Sequence, residues 1–115
     1  MMRSETKLKF FLMGSGRSPV KEFLQNQSEE MRSDFVDALS LLAGGTLLSL
    51  PLSRNLSSIH PGMHELRLKD RSGPVRIFYF IKKGEAIYML HAFRKKTQEL
   101  PQNEDAIALR RLKEG

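Results

Sequence analysis

The chain has no cysteine and no long apolar run, and both absences limit what it can be. Without cysteine it forms no disulfide, offers no thiol nucleophile and lacks the thiolate ligands of most structural zinc sites. Its longest early apolar stretch, Leu8 to Met13, is interrupted by Lys9 and is far too short for a signal-peptide core or a membrane span. We therefore expect a protein of the reducing cytoplasm that does not enter a membrane.

Sequence signatures of the common enzyme classes are also missing. The chain contains no phosphate-binding loop, no dinucleotide fingerprint and no nucleophile elbow. His60 and His64 are four residues apart, but the intervening Pro61 and Gly62 prevent the helix that would direct both rings at one metal. We therefore expect neither a resident metal nor a cofactor.

Positive charge is concentrated in one part of the 115-residue chain, whose formal net charge is +6. Residues 54–96 contain ten Lys or Arg against three Asp or Glu, a net charge of +7, so the rest of the chain carries −1. A basic region of this size favours a polyanionic partner such as nucleic acid or an acidic protein. Lysines that only increase solubility are the alternative explanation.

The hydrophobic pattern predicts a single α+β domain over residues 1–115, in which two early helices form a hairpin that covers one face of a sheet. Helix caps support this prediction, because Ser18 precedes a proline at the first helical position and Ser28 precedes two glutamates. Residues 46–58 are expected to form a connector whose leucines attach it to the core. The predicted elements are a strand over 7–13, a helix from Pro19, a helix over 28–42, strands over 63–69, 75–81 and 86–93, and an amphipathic helix over 102–113.

The turns between the last three strands predict how those strands pair. A loop over 70–73 places Arg67 opposite Arg76 on the next strand. A two-residue turn at 83–84 then places Arg76 opposite His91 on the third strand, so that three cationic or titratable side chains lie side by side. The remaining residues predicted on this face are Glu65, Phe78, Phe80, Ile87, Met89 and Phe93.

In this register Arg67 and Arg76 form a like-charge pair, which costs up to about 1 kcal/mol relative to a neutral pair. Burying either guanidinium without a partner costs more. The pair therefore favours an anion-binding face. In the alternative, Glu65 or a carboxylate from elsewhere in the chain neutralises both arginines in a solvated ion network.

A cationic face of this kind can act on a phosphodiester. Arg and Lys neutralise charge that develops on phosphorane oxygens, while a carboxylate, imidazole or ammonium transfers protons. Attack by the ribose 2′-OH needs no metal and restricts the substrate to RNA. His91 is a candidate acid or base, or simply a packed histidine, and Glu65 is a candidate base, or simply a counter-ion. Lys95 and Lys96 can hold phosphates, or form an ordinary solvated exit from the last strand.

Four short motifs and their spacing are distinctive: HELR at 64–67, RIFYF at 76–80, LHAF at 90–93 and KKTQ at 95–98. Together with SPVKEFL at 18–24 and the pair Arg110-Arg111, they resemble the phage-derived HigB branch of the RelE/ParE toxin superfamily. The resemblance covers nearly the whole chain. It implies a curved antiparallel β-sheet backed by an N-terminal two-helix hairpin, with a C-terminal helix.

The resemblance also implies a function. It implies the toxin of a type II toxin–antitoxin pair, an endoribonuclease (mRNA interferase) that cleaves mRNA on the ribosome and so inhibits translation. It implies no cofactor, and a cognate antitoxin that in this branch usually carries a helix-turn-helix domain. By position, Arg76 matches the family's phosphate-neutralising arginine, Arg67 matches the arginine of HELR, and Lys95 and Lys96 match its basic cluster.

The predicted site therefore combines a catalytic group with an RNA-binding group. Its catalytic members are Arg67, Arg76, Lys96, His91 and Glu65, and its RNA-binding members are Lys69, Arg71, Arg94 and Lys95. The chain departs from the family at Glu99-Leu100-Pro101, where members of this branch often have Lys-Thr-Pro. A ParE-like topoisomerase inhibitor without catalysis and a plain RNA-binding module are the competing functions, because fold does not separate them.

Overall fold

A computed structural model describes residues 6–96 and 102–114. Its elements in chain order are β1 (Lys7–Phe10), α1 (Pro19–Gln25), α2 (Glu29–Ala43), β2 (Ser53–Asn55), β3 (Met63–Asp70), β4 (Gly73–Lys82), β5 (Ala86–Arg94) and α3 (Gln102–Glu114). The predicted α+β class and C-terminal helix are confirmed. None of the helices in this part of the chain is long and apolar enough to span a membrane.

The two N-terminal helices begin where their capping residues predict. The Ser18 side chain accepts a hydrogen bond from the backbone N–H of Lys21, and the Ser28 side chain accepts one from Met31. Pro19 occupies the first helical position of α1, where the missing N–H costs nothing. The buried side chains of the two helices are Val20, Leu24, Met31, Phe35, Ala38 and Leu42.

All five strands belong to one sheet in the order β1-β5-β4-β3-β2. The sheet is mixed rather than wholly antiparallel, because the edge strand β1 runs parallel to β5. Helices α1 and α2 cover one face, where they pack on side chains such as Leu66, Ile77 and Tyr79. Helix α3 covers part of the other face through Ala108, Leu109 and Leu112. The helices thus cover part of each face of the sheet.

The short strand β2 lies inside the segment predicted to be a connector, and that prediction is wrong for residues 53–55. It pairs antiparallel with β3 and forms the second edge of the sheet. Ser53 is buried, with its Oγ 2.6 Å from the phenolic oxygen of Tyr79. Three residues that are mostly polar give no strand periodicity, so the sequence does not reveal this strand.

The predicted register between β3 and β4 is confirmed, but the register between β4 and β5 is wrong. Arg67 faces Arg76 as expected, whereas Arg76 faces Phe93 instead of His91. The turn after β4 contains three residues, 83–85, because Lys82 pairs with Ala86. Gly84 provides the positive φ of 78° within that turn.

A β-bulge in β5 adds a second shift. Phe78 faces His91 and Tyr79 faces Met89, so Leu90 between them is the extra residue. Ile87 and Met89 lie between the turn and the bulge, so the extra residue of the turn alone reverses the face to which they point. Ile87 and Met89 pack with the helices α1 and α2, not on the cationic face where they were predicted.

Candidate functional site

The β3–β4 hairpin aligns the cationic residues in rows across the sheet. Arg67 pairs with Arg76, and Lys69 pairs with Pro74 in the next row toward the turn. Lys95 continues this outer row, because its backbone N–H donates to the carbonyl of Pro74 at 2.9 Å. A regular antiparallel ladder therefore brings four predicted site residues together.

Arg76 is the most constrained of these cations. Its residue is only 9% exposed, and its Nη1 donates to the carbonyls of Leu68 and Val75, each at 3.2 Å. Its Nε lies 4.0 Å from Glu65 Oε1. Burial lowers the pKa of Arg76, Glu65 opposes that shift and Arg67 adds to it. An arginine stays protonated under such conditions. Arg76 therefore carries a positive charge on a guanidinium whose orientation is fixed by backbone hydrogen bonds before any ligand binds.

Beside Arg76 lies a groove of about 410 Å³. Arg67 and Lys69 line it together with Arg76, while Pro51 and Leu52 close the side toward β2. Two guanidinium groups and an ammonium in one groove have the chemistry to bind a phosphate, because arginine can bind two of its oxygens with paired hydrogen bonds. Glu65 only partly offsets this charge, since 4.0 Å is the limit of ion-pair contact.

The side chains of several predicted cations have no partner among the residues that the structure describes. Within residues 6–96 and 102–114, no side-chain hydrogen bond or ion pair engages Arg67, Lys69, Arg71, Lys95 or Lys96. Lys69, Arg71 and Lys96 are exposed, and Arg67 and Lys95 are half-buried. These side chains are therefore available to a polyanion without breaking a contact of the fold.

Arg94, also predicted to bind RNA, has a different environment. Its guanidinium pairs with both oxygens of Asp70, at 2.8 and 3.1 Å, and also donates to the Gly73 carbonyl and to Gln27 Oε1. The Arg94 hydrogen bond lowers the pKa of Asp70. This network joins the end of β5 to the β3–β4 turn and to the loop between α1 and α2. Arg94 is thus occupied by the fold.

His91 is held by α3, through two residues that sequence reasoning missed. Its Nε2 lies 3.0 Å from Glu104 Oε2, and its Nδ1 lies 3.2 Å from Arg111 Nη1. Because the arginine only donates, Nδ1 accepts and Nε2 carries the proton toward Glu104. Burial lowers the pKa of His91, and Glu104 opposes that shift.

The turn after β4 and the bulge together determine the row of the sheet in which His91 lies. His91 stacks on Phe93 with ring centroids 5.5 Å apart, and Phe93 is the residue that faces Arg76. His91 therefore lies one row away from Arg76 instead of beside it. Glu104 gives no sequence signal of its role, because acidic residues are ordinary in the first turn of a helix.

Metal ligation has little support in the described part of the chain. Residues 6–96 and 102–114 contain no group of three or more His, Cys, Asp or Glu side chains placed to hold a metal ion. The departure from the family at Glu99 to Pro101 lies outside the described residues.

Comparison with known proteins gives one result. The sequence profile of the family described as "Phage derived protein Gp49-like (DUF891)" matches residues 22–113. This range contains all the predicted site residues as well as Glu104 and Arg111. A search of curated proteins found no match.

Proposed function

Because the chain belongs to the phage-derived Gp49-like family (DUF891), a family of toxin-like proteins related to RelE and HigB, we propose that it is the toxin of a type II toxin–antitoxin pair. In this proposal it is a HigB-like, ribosome-dependent endoribonuclease of the cytoplasm that cleaves mRNA and is neutralised by a cognate antitoxin, with a helix-turn-helix domain in that antitoxin. The observation that carries the proposal is the pairing of Arg67 with Arg76 in an open groove.

The proposed reaction is an attack of the ribose 2′-OH on the adjacent phosphorus. A bond forms between the 2′-oxygen and phosphorus while the bond to the 5′-oxygen breaks and that oxygen takes up a proton from water, which leaves a 2′,3′-cyclic phosphate and a 5′-hydroxyl. Arg76 and Arg67 neutralise the charge that develops on the non-bridging oxygens. The reaction needs no metal, because the nucleophile belongs to the substrate and its proton goes to a side chain.

Two side chains are candidates for proton transfer. Glu65 is the nearer to the proposed phosphate site, at 4.0 Å from Arg76 Nε, and we assign it the 2′-OH proton. Both ring nitrogens of His91 are engaged by α3, so His91 enters proton transfer only after α3 releases one of them. Lys95 and Lys96, together with Lys69 and Arg71, hold flanking phosphates in this proposal.

The test is cleavage of a defined mRNA on programmed ribosomes by the purified chain, together with growth after expression in cells with and without the antitoxin. We expect ribosome-dependent cleavage and a growth arrest that the antitoxin reverses. Growth arrest without any mRNA cleavage would instead favour the ParE-like inhibition of a topoisomerase. RNA binding without either effect would favour a plain binding module.

A further inference from the structure

A second, larger groove lies on the face of the sheet that α3 covers only in part. Its volume is about 680 Å³, within the range of established binding sites. Strands β4 and β5 contribute Phe80, Tyr88 and Leu90, the segment after β1 contributes Phe11 and Leu12, and α3 contributes Arg111 and Leu112. None of the predicted site residues lines it, so it is a separate surface.

The groove combines apolar walls with a cationic rim. Lys9 and Lys82 stand at its edge, and Arg111 stands where α3 closes it, against one acidic lining residue, Glu114. Lys82 also pairs with Glu85 at 3.2 Å, so Lys9 and Arg111 are the cations that face the groove without an ion pair among the described residues. Leu12 in its wall is 59% exposed, and the next residue in the sequence, Met13, is 44% exposed. Contiguous exposed apolar side chains on a small protein mark an interaction site.

The arrangement of cations and rings favours a protein ligand over RNA. The Lys9 ammonium lies 5.8 Å from the centroid of Tyr88, and the Arg111 guanidinium lies 5.2 Å from that of Phe11. Each of these rings already has a cation over one face, which leaves less aromatic surface for base stacking. The aliphatic Leu12 and Leu112 suit apolar side chains, and carboxylates complement the cations.

From these features we propose that the groove docks an acidic, apolar segment of a partner protein. The identity of that partner as the neutralising antitoxin rests on the proposed function. The segment inserts its apolar side chains between Phe11, Tyr88 and Leu112, and its carboxylates pair with Lys9 and Arg111.

Arg111 connects this groove to the candidate site. The same guanidinium that covers Phe11 donates to the Leu90 carbonyl at 2.9 Å and to His91 Nδ1 at 3.2 Å. A carboxylate that binds Arg111 from the groove competes with those contacts. Docking therefore alters His91 without covering the groove that holds Arg76.

The experiment compares two charge-matched double variants of the full chain. Lys9→Glu/Leu12→Glu changes the rim and the exposed wall of the groove, and Arg54→Glu/Leu47→Glu makes changes of the same charge at exposed residues outside it. Affinity for the purified antitoxin is measured by calorimetry. We expect the groove variant to bind at least about 30-fold more weakly than the parent, since two contact residues each contribute more than about 1 kcal/mol. The control variant should bind like the parent.

Equal binding by both variants, or no binding by the parent, overturns the docking proposal. Unchanged antitoxin binding with a loss of RNA affinity in the groove variant also overturns it and assigns the groove to RNA. Ribosomal cleavage by the parent, measured alongside, keeps the two proposals distinct. Groove-dependent binding by a chain that cleaves nothing supports docking and removes the nuclease function, whereas cleavage with groove-independent binding does the reverse.

Discussion

At the scale of single residues, environment separates arginines that look alike in the sequence. Arg76 is buried with Nη1 fixed on two carbonyls, and the side chain of Arg67 beside it has no hydrogen bond or ion pair among the described residues. Arg94 uses four hydrogen bonds to join Asp70, Gly73 and Gln27. The first two can hold a phosphate, whereas the third already has an anion. Sequence reasoning grouped Arg94 with the RNA-binding cations because it cannot see that Asp70 comes close.

We predict that Arg94→Ala lowers the melting temperature by several degrees, because it removes the guanidinium that pairs with the Asp70 carboxylate and donates to the Gly73 carbonyl. Arg71→Ala, on the exposed turn of the same hairpin, should leave the melting temperature unchanged. Thermal unfolding by circular dichroism measures both. At a temperature where Arg94→Ala is folded, its RNA affinity should stay close to that of the parent. A variant as stable as the parent but impaired in RNA binding would show that Arg94 serves RNA instead.

At the scale of elements, the sequence predicts what depends on local pattern and misses what depends on pairing. Serine caps and helical periodicity locate α1 and α2, and a short turn locates the β3–β4 hairpin with Arg67 opposite Arg76. Neither the third residue of the turn nor the bulge at Leu90 has such a local signature, and together they move His91 by one row from its predicted position. The strand β2 forms only because β3 offers it an edge.

The site follows the same division between local pattern and tertiary contact. Its cationic residues were predicted, since they lie on the strands that the pattern identifies. The contacts of His91 with Glu104 and Arg111 were not, because they join elements that are distant in sequence. The packing of α3 on β5 is therefore known from the structure and not from the sequence.

The attachment of α3 should depend on pH. Burial lowers the pKa of His91 below its ordinary value of 6.5, so the folded protein favours the neutral ring. As pH falls, His91 therefore becomes protonated in the unfolded chain before it does in the folded protein. The stability that the neutral ring contributes is fully present above pH 6.5 and is lost as pH falls toward the lower pKa of the folded protein.

We predict that lowering the pH from about 7.5 to about 5 reduces the melting temperature of the parent more than that of His91→Gln. The pKa of His64 is also lowered by burial, and its contribution is common to both proteins and cancels in the comparison. Identical pH profiles would show that His91 does not titrate with unfolding.

At the scale of the whole molecule, charge is distributed so that one end of the sheet is cationic while the helical side is close to neutral. Residues 54–96 carry a net charge of +7 in a chain whose net charge is +6. The cations whose side chains lack a partner within residues 6–96 and 102–114 lie around the β3–β4 turn and the end of β5. The positive electrostatic potential at this end of the sheet attracts a phosphate backbone before specific contacts form.

We predict that RNA binding weakens steeply with salt, because each engaged phosphate releases counterions and adds about −0.7 to the slope of log K against log salt. Lys69→Ala/Arg71→Ala should reduce the steepness of that slope by about 1. Lys21→Ala/Lys113→Ala changes exposed lysines away from the groove beside Arg76 and should leave the slope unchanged. Fluorescence anisotropy at several salt concentrations measures the slopes. A flat dependence in the parent would contradict the electrostatic account of binding.

Cleavage by Arg76→Ala tests the central claim most directly, because Arg76 is the cation that the fold orients toward the proposed phosphate. On programmed ribosomes we expect the rate to fall by a factor of about 10² to 10³, the usual effect of losing one oriented donor. Arg76→Lys keeps the charge without the paired geometry and should fall between the parent and Arg76→Ala. Arg17→Ala, at an exposed ion pair with Glu22, is the control and should cleave normally. Full cleavage by a folded Arg76→Ala would contradict the account.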